Sequence, residues 1–237
     1  MNANHNESVI KVIGLTKKYK GTANPIIYQD VNFDAKAGEV TLIMGASGSG
    51  KTSFLRQIAL LDQSDKGRIE YYGQSVESLG QRAKAKLRAR SLGFIFQSFA
   101  LIEEFNVLEN CTLPLLMKGD TKRSAQNKAL ALIHTYMPDI RPEKYPHELS
   151  GGEQQRVAII RALIHEPDIV IADEPTGNLD DSNTDFIKSE LLRIAKEIGS
   201  AVIIVSHNTD FIEFADAYYQ LAVASQDDVK SSLIRCK

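Results

Sequence analysis

One octapeptide has the composition and spacing of a phosphate-binding loop. Residues Gly45–Thr52 read GASGSGKT, which fits the pattern G-x-x-x-x-G-K-[ST]. The glycines let the backbone wrap around an anion, so that successive N–H groups point inward. Lys51 would reach the β- and γ-phosphates of a nucleotide, and the Thr52 hydroxyl would bind Mg²⁺. A dinucleotide site is not indicated, because the glycine order is not G-x-G-x-x-G.

Two adjacent carboxylates follow an apolar run later in the chain. The run Ile169–Ala172 reads as a buried strand, and Asp173 and Glu174 come directly after it. The carboxyl ends of strands are where α/β sheets bind ligands. Asp173 would hold the Mg²⁺, and Glu174 would orient and deprotonate a water molecule. A helix cap or a solvated acidic turn is the plainer alternative.

Two polar side chains follow other predicted strands. His207 comes after the strand Ala201–Val205, and Gln97 comes after Leu92–Phe96. A histidine at this edge could donate to a γ-phosphate oxygen, and Gln97 could reach metal or water. We interpret the remaining histidines as ordinary side chains; these are His5, His134, His147 and His165.

A second anion-directed segment precedes another helix. Leu149–Gln155 reads LSGGEQQ and leads into an amphipathic pattern that runs to about His165. A helix that begins with Ser-Gly-Gly offers free N–H groups to an anion. The sequence therefore contains two candidate phosphate sites, of which only the first has carboxylates and a lysine in support.

Apolar runs and helical patterns alternate along most of the chain, which predicts an α/β fold with a mainly parallel sheet covered on both faces. Strands are expected at Val9–Leu15, Val31–Asp34, Glu39–Met44 and Arg68–Tyr72, besides those named above, and helices at Lys51–Leu61, Gln81–Arg90 and Thr184–Ile198, with a short one from Thr209. Residues 99–147 show no strand pattern, and we interpret them as a helical insertion broken by Pro114, Pro138, Pro142 and Pro146. Residues 226–237 form a polar tail.

Composition restricts the class of protein. The chain has 237 residues, a hydrophobic fraction of 43% and a net charge of −2. No apolar run approaches the roughly 18 residues that span a bilayer, and the polar start lacks the order of a signal peptide, so we expect a cytoplasmic protein. The net charge disfavours extensive nucleic-acid binding. Cys111 and Cys236 have no ligand-like spacing.

Together these motifs resemble the nucleotide-binding subunit of an ABC-type ATPase, over nearly the whole chain. Gly45–Thr52 matches the Walker A loop, Leu149–Glu153 the family signature, and Ile169–Asp173 the Walker B strand. The remaining matches are Gln97 with the Q-loop, Glu174 with the catalytic glutamate, Asn178-Leu179-Asp180 with the D-loop and His207 with the switch histidine. Tyr19 stands where the family stacks an aromatic ring on adenine, although it could equally be a surface tyrosine.

The resemblance implies a P-loop NTPase with a RecA-like, mainly parallel core sheet and an antiparallel β subdomain, over residues 1–98 and 148–225, and a helical subdomain over 99–147. It implies ATP and Mg²⁺ as cofactors, with Thr52, Gln97 and Asp173 at the metal. The implied nucleotide contacts are Tyr19, Gly45, Ala46, Ser47, Gly48, Ser49, Gly50, Lys51, Thr52, Ser53, Ser150, Gly151, Gly152, Glu153 and Asp180. Glu174, His207 and Gln97 are the implied catalytic residues.

In this family two copies pack head to tail, so that the signature of one covers the nucleotide held by the other. This arrangement gives the second anion site a purpose, and it implies a homodimer that works with an integral membrane subunit on the inner face of the membrane. The stretches Phe94–Ile102 and Ala172–Asp180 resemble the group of lipoprotein-releasing, macrolide-efflux and cell-division ATPases. In the family, the helical segment grips the coupling helices of the membrane subunit.

Two other functions fit parts of the sequence. A soluble ABC-type ATPase acting on nucleic acid or ribosomes would use the basic run Gln81–Arg90, although a solvated helix face explains that run as well. A P-loop kinase would need a pocket for a phosphate acceptor and would leave the signature segment without a purpose. We expect neither.

Overall fold

The computed structural model describes residues 8–18, 26–177, 181–221 and 233–237. Tyr19 and the segment Asn178–Asp180 lie outside the described residues, so their expected roles stay predictions. The strands are β1 Ser8–Lys18, β2 Ile26–Lys36, β3 Val40–Gly45, β4 Lys66–Tyr71, β5 Gln74–Ser75, β6 Leu92–Ile95, β7 Ile169–Asp173, β8 Ala201–Val205, β9 Ala217–Leu221 and β10 Leu233–Arg235. The α-helices are α1 Lys51–Ile58, α2 Gln81–Ser91, α3 Val107–Lys118, α4 Lys122–Tyr136, α5 Gly151–Leu163 and α6 Asp181–Arg193, which continues as a π-helical turn over Ile194–Ile198.

The larger sheet has six strands in the order β10-β9-β3-β8-β7-β6. The strands from β9 to β6 are parallel, and β10 runs antiparallel to β9 at the edge. All five residues of β8 are buried, which is typical of a parallel strand covered on both faces. The parallel arrangement places the carboxyl ends of β3, β8, β7 and β6 along one edge.

The smaller sheet is antiparallel, with the order β2-β1-β4-β5. It covers the same face of the larger sheet as α1, and the three elements share one hydrophobic core. Phe54 of α1 makes edge-to-face contacts with Tyr28 and Phe33 of β2. These contacts fix the helix that follows the glycine-rich loop, and thereby fix the loop itself.

The helices α3, α4 and α5 enclose a third hydrophobic core, separate from the two that flank the large sheet. The expected helical insertion is therefore present, although its exact boundaries at 98/99 and 147/148 stay a prediction. The expectation that Pro114 interrupts the segment was wrong, because Pro114 lies inside α3. Cys111 and Leu115 on either side of it are fully buried in this core, and their packing outweighs the cost of the proline.

Other differences lie at the ends of elements. The helix after the glycine-rich loop ends at Ile58 and not near Leu61, because the backbone turns left-handed at Leu60, where φ is 58°. The strand β9 was not expected, and three residues of the polar tail form β10 on its outer side. In the described part of the chain, no helix is long and apolar enough to cross a bilayer.

Candidate functional site: an ATP site and an exposed helix terminus

The candidate site lies along the edge where four parallel strands end. Strand β3 ends in the glycine-rich loop, and β7 ends at Asp173 beside Val205 of β8. Gln97 follows β6 at the next position along the same edge. The fold thus brings together the loop, the paired carboxylates, the histidine and the glutamine that the sequence predicts.

The loop has the backbone conformation that its glycines permit. Gly48 and Gly50 have φ values of 79° and 96°, a region that side chains other than glycine rarely adopt. A Cβ atom on Gly45 would lie 2.6 Å from the carbonyl oxygen of Leu221, so a glycine is required there too. The Lys51 ammonium donates to the carbonyls of Gly45 at 2.8 Å and Ala46 at 3.0 Å, which draws the side chain back over the loop.

The loop also holds a buried hydroxyl. Ser49 is 3% exposed, and its Oγ has no hydrogen-bond partner among the described residues. A buried hydroxyl without a partner is costly, and a phosphate oxygen in the loop would relieve this cost. The helix α1 begins directly after the loop, so that its dipole favours an anion at the same place. The residues therefore fit the phosphates of a nucleotide.

The environment of Asp173 favours a cation. Burial raises the pKa of the Asp173 carboxyl above its ordinary value, the charge of Glu174 raises it further, and the Lys51 ammonium acts in the opposite direction. A bound Mg²⁺ would compensate the same charge, and Mg²⁺ is usually held by one or two carboxylates together with phosphate oxygens and water. No cluster of three or more acidic, histidine or cysteine side chains that could hold a metal occurs in the described ranges. Asp173 and the Thr52 hydroxyl, completed by phosphate, fit this mode of binding.

Glu174 is held in position from several sides. Its φ is 45°, and its N–H donates to the Val205 carbonyl at 2.8 Å. The Ser206 hydroxyl donates to Glu174 Oε2 at 3.0 Å, and Nδ1 of His207 lies 3.0 Å from the same oxygen. The His207 side chain is 75% exposed, while that of Glu174 is only 14% exposed. The carboxylate is thus oriented, and the histidine is free to contact a ligand above it.

Gln97 is exposed at the end of this row. Its amide lies beside the turn that follows Glu174, since a Cβ atom on Gly177 would lie 3.6 Å from Gln97 Nε2. Gln97 therefore lies close to the turn that follows the two carboxylates. His165, which we interpreted as an ordinary side chain, is 4% exposed and bonds to the Leu92 carbonyl at 3.0 Å, while His5 lies outside the described residues.

The signature segment forms the capped beginning of α5. The Ser150 hydroxyl accepts from the Glu153 N–H at 3.3 Å, and the Glu153 carboxylate accepts from the Ser150 N–H at 2.7 Å. The Ser150 N–H, and next the Ser150 hydroxyl, which donates to the same carboxylate oxygen at 2.8 Å, lower the pKa of the Glu153 carboxyl. Nothing lies within 4 Å of the place where a Cβ atom on Gly151 would be, so this helix terminus is open. Glu153 is used by the cap, and its expected nucleotide contact stays a prediction.

Sequence reasoning missed three residues that support the site. Ser206 orients Glu174, and its place directly before His207 is the only signal in the sequence. Gln155 is 2% exposed and donates to the Pro175 carbonyl at 3.1 Å. The Arg161 guanidinium donates to the carbonyls of Phe99 at 2.7 Å and Ala100 at 2.5 Å, and so fixes the segment after Gln97. The partners of Gln155 and Arg161 are distant in sequence.

Residues 28–177 match the family model described as ABC transporter. The chain belongs to the ABC transporter ATP-binding family. It is 38% identical to the lipoprotein-releasing system ATP-binding protein LolD of Chromohalobacter salexigens, over 92% of each chain. It is 39% identical to the uncharacterized ABC transporter ATP-binding protein YbbA of Escherichia coli, over 91% of this chain and 95% of the relative.

Solved structures of ABC cassettes have the same fold. The dimeric structure of the bacterial ABC transporter cassette MJ0796 matches with a TM-score of 0.82 and 34% identity, over 90% of this chain and 94% of that one. A dimeric post-hydrolysis state of that cassette, bound to ADP and Pi, matches with a TM-score of 0.84 and 31% identity, over 96% and 98%. The chain is therefore an ATP-binding and ATP-hydrolysing protein with a P-loop NTPase fold. These matches favour a transporter ATPase over the soluble nucleic-acid enzyme.

Proposed function

We propose that the chain is the ATPase subunit of a membrane ABC complex and works as a head-to-tail homodimer. One observation carries the proposal: a single chain has two anion-directed helix termini, and only the terminus of α1 adjoins the catalytic carboxylates. The open terminus at Ser150–Gly151 is explained if it covers the nucleotide held by Gly45–Ser53 of a second copy. ATP then joins the two copies, and hydrolysis releases them.

Within each site the residues divide the work of hydrolysis. The loop N–H groups and Lys51 bind the phosphates, while Tyr19 and Asp180 are proposed contacts on the adenine side and at the dimer interface. Thr52, Asp173 and Gln97 are the residues that would hold a Mg²⁺, which would supply positive charge against the phosphates. Glu174 accepts the proton of the attacking water, and Ser206 and His207 hold its carboxylate in place through Oε2. His207 donates to the γ-phosphate and responds to its loss.

A groove beside the helical segment is the proposed docking place of the membrane subunit. The cavity has a volume of about 410 Å³ and lies between α2, β6, α3 and α5. Its walls are mostly apolar, and Met117 at its border is 66% exposed. Apolar concavities of this kind suit a partner helix. Through such a partner the chain would lie at the inner face of the membrane.

Several relatives carry the name of lipoprotein-releasing ATPases, among them those of Chromohalobacter salexigens and Zymomonas mobilis. We propose that this chain serves a complex of the same mechanical type, in which ATP-driven closure moves a membrane protein without passing a substrate through a channel. Co-purification in mild detergent tests this assignment. A partner with four membrane spans and a large extracytoplasmic domain would support it, whereas a six-span import-type partner would refute it.

The substitution Glu174→Gln tests the catalytic proposal. Glutamine keeps the size and the hydrogen-bond acceptor of Glu174 but cannot take a proton, so we expect ATP binding to persist and turnover to fall by about 100-fold or more. The ATP-bound dimer should then accumulate, which size-exclusion chromatography with and without ATP measures. Undiminished hydrolysis would remove Glu174 from its assigned role, and an ATP-bound monomer would contradict the dimer.

A further inference from the structure

Gln155 is a buried amide that the cap of α5 does not use. It lies in the second turn of the helix and is 2% exposed. Burial of an amide is costly unless the group is hydrogen-bonded, so apolar packing does not explain a glutamine here. Its Nε2 donates to the carbonyl oxygen of Pro175 at 3.1 Å.

Pro175 directly follows Glu174, and the turn between them is tightly constrained. Glu174 has a φ of 45°, its N–H is bound to Val205, and its carbonyl accepts from the Gly177 N–H at 3.2 Å. Consecutive Cα atoms are about 3.8 Å apart, so a displacement of Pro175 must also move Glu174. Gln155 is therefore a tether between α5 and the position of the catalytic carboxylate.

The other end of the tether is the phosphate-directed terminus of the same helix. Gln155 follows Ser150 by five residues, which is about 7.5 Å along the helix axis. The reciprocal bonds between Ser150 and Glu153 hold this first turn together. A force on the open terminus at Gly151 thus reaches Gln155 through little more than one rigid helical turn.

We propose that Gln155 is a positioning residue that couples the two nucleotide sites of the dimer. In the head-to-tail arrangement, on which this inference rests, the terminus of α5 contacts the ATP held by the partner. Glu174 of the same chain acts on the chain's own ATP. Gln155 joins the two, so that occupancy of the partner's site sets the position of Glu174 in this one.

The neighbouring Gln154 is a matched control. It has the same side chain in the same helix, and its Nε2 donates to the carbonyls of Pro146 at 3.1 Å and Leu149 at 3.3 Å. Both acceptors belong to the approach to α5 and neither adjoins Glu174. Replacement of Gln154 removes the hydrogen bonds to Pro146 and Leu149 and leaves the bond between Gln155 and Pro175 intact.

The first experiment compares Gln155→Met with Gln154→Met in the full chain. Methionine has the length of glutamine and no donor. We expect Gln155→Met to lower kcat at saturating ATP about three- to tenfold, the effect of one lost hydrogen bond. ATP binding by the monomer, followed with a fluorescent ATP analogue, should not change. Gln154→Met should retain kcat.

A mixed dimer separates positioning from damage to the signature. When one chain carries Glu174→Gln, only the other chain's Glu174 can hydrolyse ATP. If Gln155 acts through Glu174 of its own chain, then Gln155→Met lowers the rate when placed in the active chain and not when placed in the Glu174→Gln chain. A defect in the signature gives the reverse pattern, because that signature covers the active chain's ATP.

The outcomes are distinct. The reverse pattern in the mixed dimers, an unchanged kcat in Gln155→Met, or an equal loss in Gln154→Met would each overturn the coupling. If the unsubstituted chain hydrolyses ATP but Glu174→Gln forms no ATP-bound dimer, the proposed function fails instead.

Discussion

At the scale of single residues, the paired carboxylates differ in what their surroundings do to them. The Ser206 hydroxyl donates to Glu174 Oε2 at 3.0 Å, and Nδ1 of His207 lies 3.0 Å from the same oxygen. Both contacts orient the Glu174 carboxylate. Asp173 is half-buried, and burial together with the charge of Glu174 raises the pKa of its carboxyl. These surroundings support the proposed division of roles, in which Glu174 takes a proton from water and Asp173 binds the cation.

The substitution Asp173→Asn should stabilise the nucleotide-free protein at neutral pH. A carboxyl whose pKa is raised in the folded state stabilises the fold below its unfolded pKa, near 3.9, and loses that contribution as the pH rises through the folded pKa. The ionised Asp173 thus destabilises the fold at pH 7, and asparagine avoids this cost. We expect a higher unfolding temperature at pH 7, a smaller gain below about pH 4, and loss of Mg²⁺-dependent hydrolysis.

Asp210→Asn is a control in which the pKa of the replaced carboxyl is shifted in the opposite direction. The hydrogen bond from Lys188 lowers the pKa of Asp210, so this carboxylate contributes to stability above its unfolded pKa and loses the contribution as the pH falls. Its replacement should lower the unfolding temperature at pH 7 or leave it unchanged. Thermal unfolding at several pH values measures both variants, and a drop in stability for Asp173→Asn would contradict the assigned environment.

At the scale of elements, α5 connects three parts of the site. Its first turn is the open terminus, its second turn holds Pro175 through Gln155, and Arg161 near its end holds the carbonyls of Phe99 and Ala100. Phe99 and Ala100 have φ values of 60° and 51°, so the guanidinium fixes a backbone that would otherwise relax. One helix thus sets the positions of the signature, the turn that follows Glu174 and the segment after Gln97.

The two signature glycines should respond differently to alanine. A Cβ atom on Gly151 meets open space, and alanine favours a helix over glycine by up to about 1 kcal/mol, so Gly151→Ala should not destabilise the chain. It should nevertheless reduce ATP hydrolysis, by about tenfold if the added methyl group displaces a phosphate contact of roughly 1.4 kcal/mol. Unfolding temperature, ATP binding by the monomer and hydrolysis are measured together.

Gly152→Ala provides the contrast. A Cβ atom there would lie 2.7 Å from Nδ2 of Asn183, so the end of that side chain must move, and we expect a small loss of stability together with the loss of activity. If Gly151→Ala also lost monomer binding, the terminus of α5 would serve its own chain's nucleotide and the trans arrangement would be wrong.

Elements with local signals could be predicted from the sequence, and those fixed by distant partners could not. The loop, the carboxylates and the histidine follow strands whose apolar runs are continuous, and the structure places them on one edge. Pro114 was misjudged because the buried side chains on either side of it decide the helix. The role of Gln155 could not be predicted, because its hydrogen-bond partner Pro175 lies twenty residues away in the sequence. Strand β10 has only three residues, which is too short for a periodic pattern.

At the scale of the whole molecule, the ATP site and the groove lie on different parts of the surface but share α5. Arg161 and Ala162 line the groove, and Arg161 holds the segment that follows Gln97. A partner helix in the groove would press on the same helix that carries the signature. The proposed membrane contact and the proposed dimer contact are therefore mechanically connected through one element.

Met117→Asp should separate docking from catalysis. A charge on this 66% exposed residue would face the apolar groove, so we expect co-purification with the membrane subunit to be lost. ATP hydrolysis by the isolated chain should stay within about twofold, because surface substitutions usually cost less than 0.5 kcal/mol. Leu130→Asp is the control, since Leu130 is 41% exposed on α4 and does not line the groove. If Met117→Asp still retained the membrane subunit, docking would occur elsewhere.

The short strand β10 has a consequence for solubility. It pairs with Tyr219, Gln220 and Leu221 of β9, and β9 would otherwise be the free margin of the parallel sheet. Exposed sheet margins invite strands from other molecules to add on, which leads to aggregation. The Leu221 carbonyl also packs against Gly45. A strand of another molecule that paired with β9 would therefore lie close to the first residue of the phosphate loop. In the described part of the chain, the strand at this margin is therefore only three residues long, which limits such pairing.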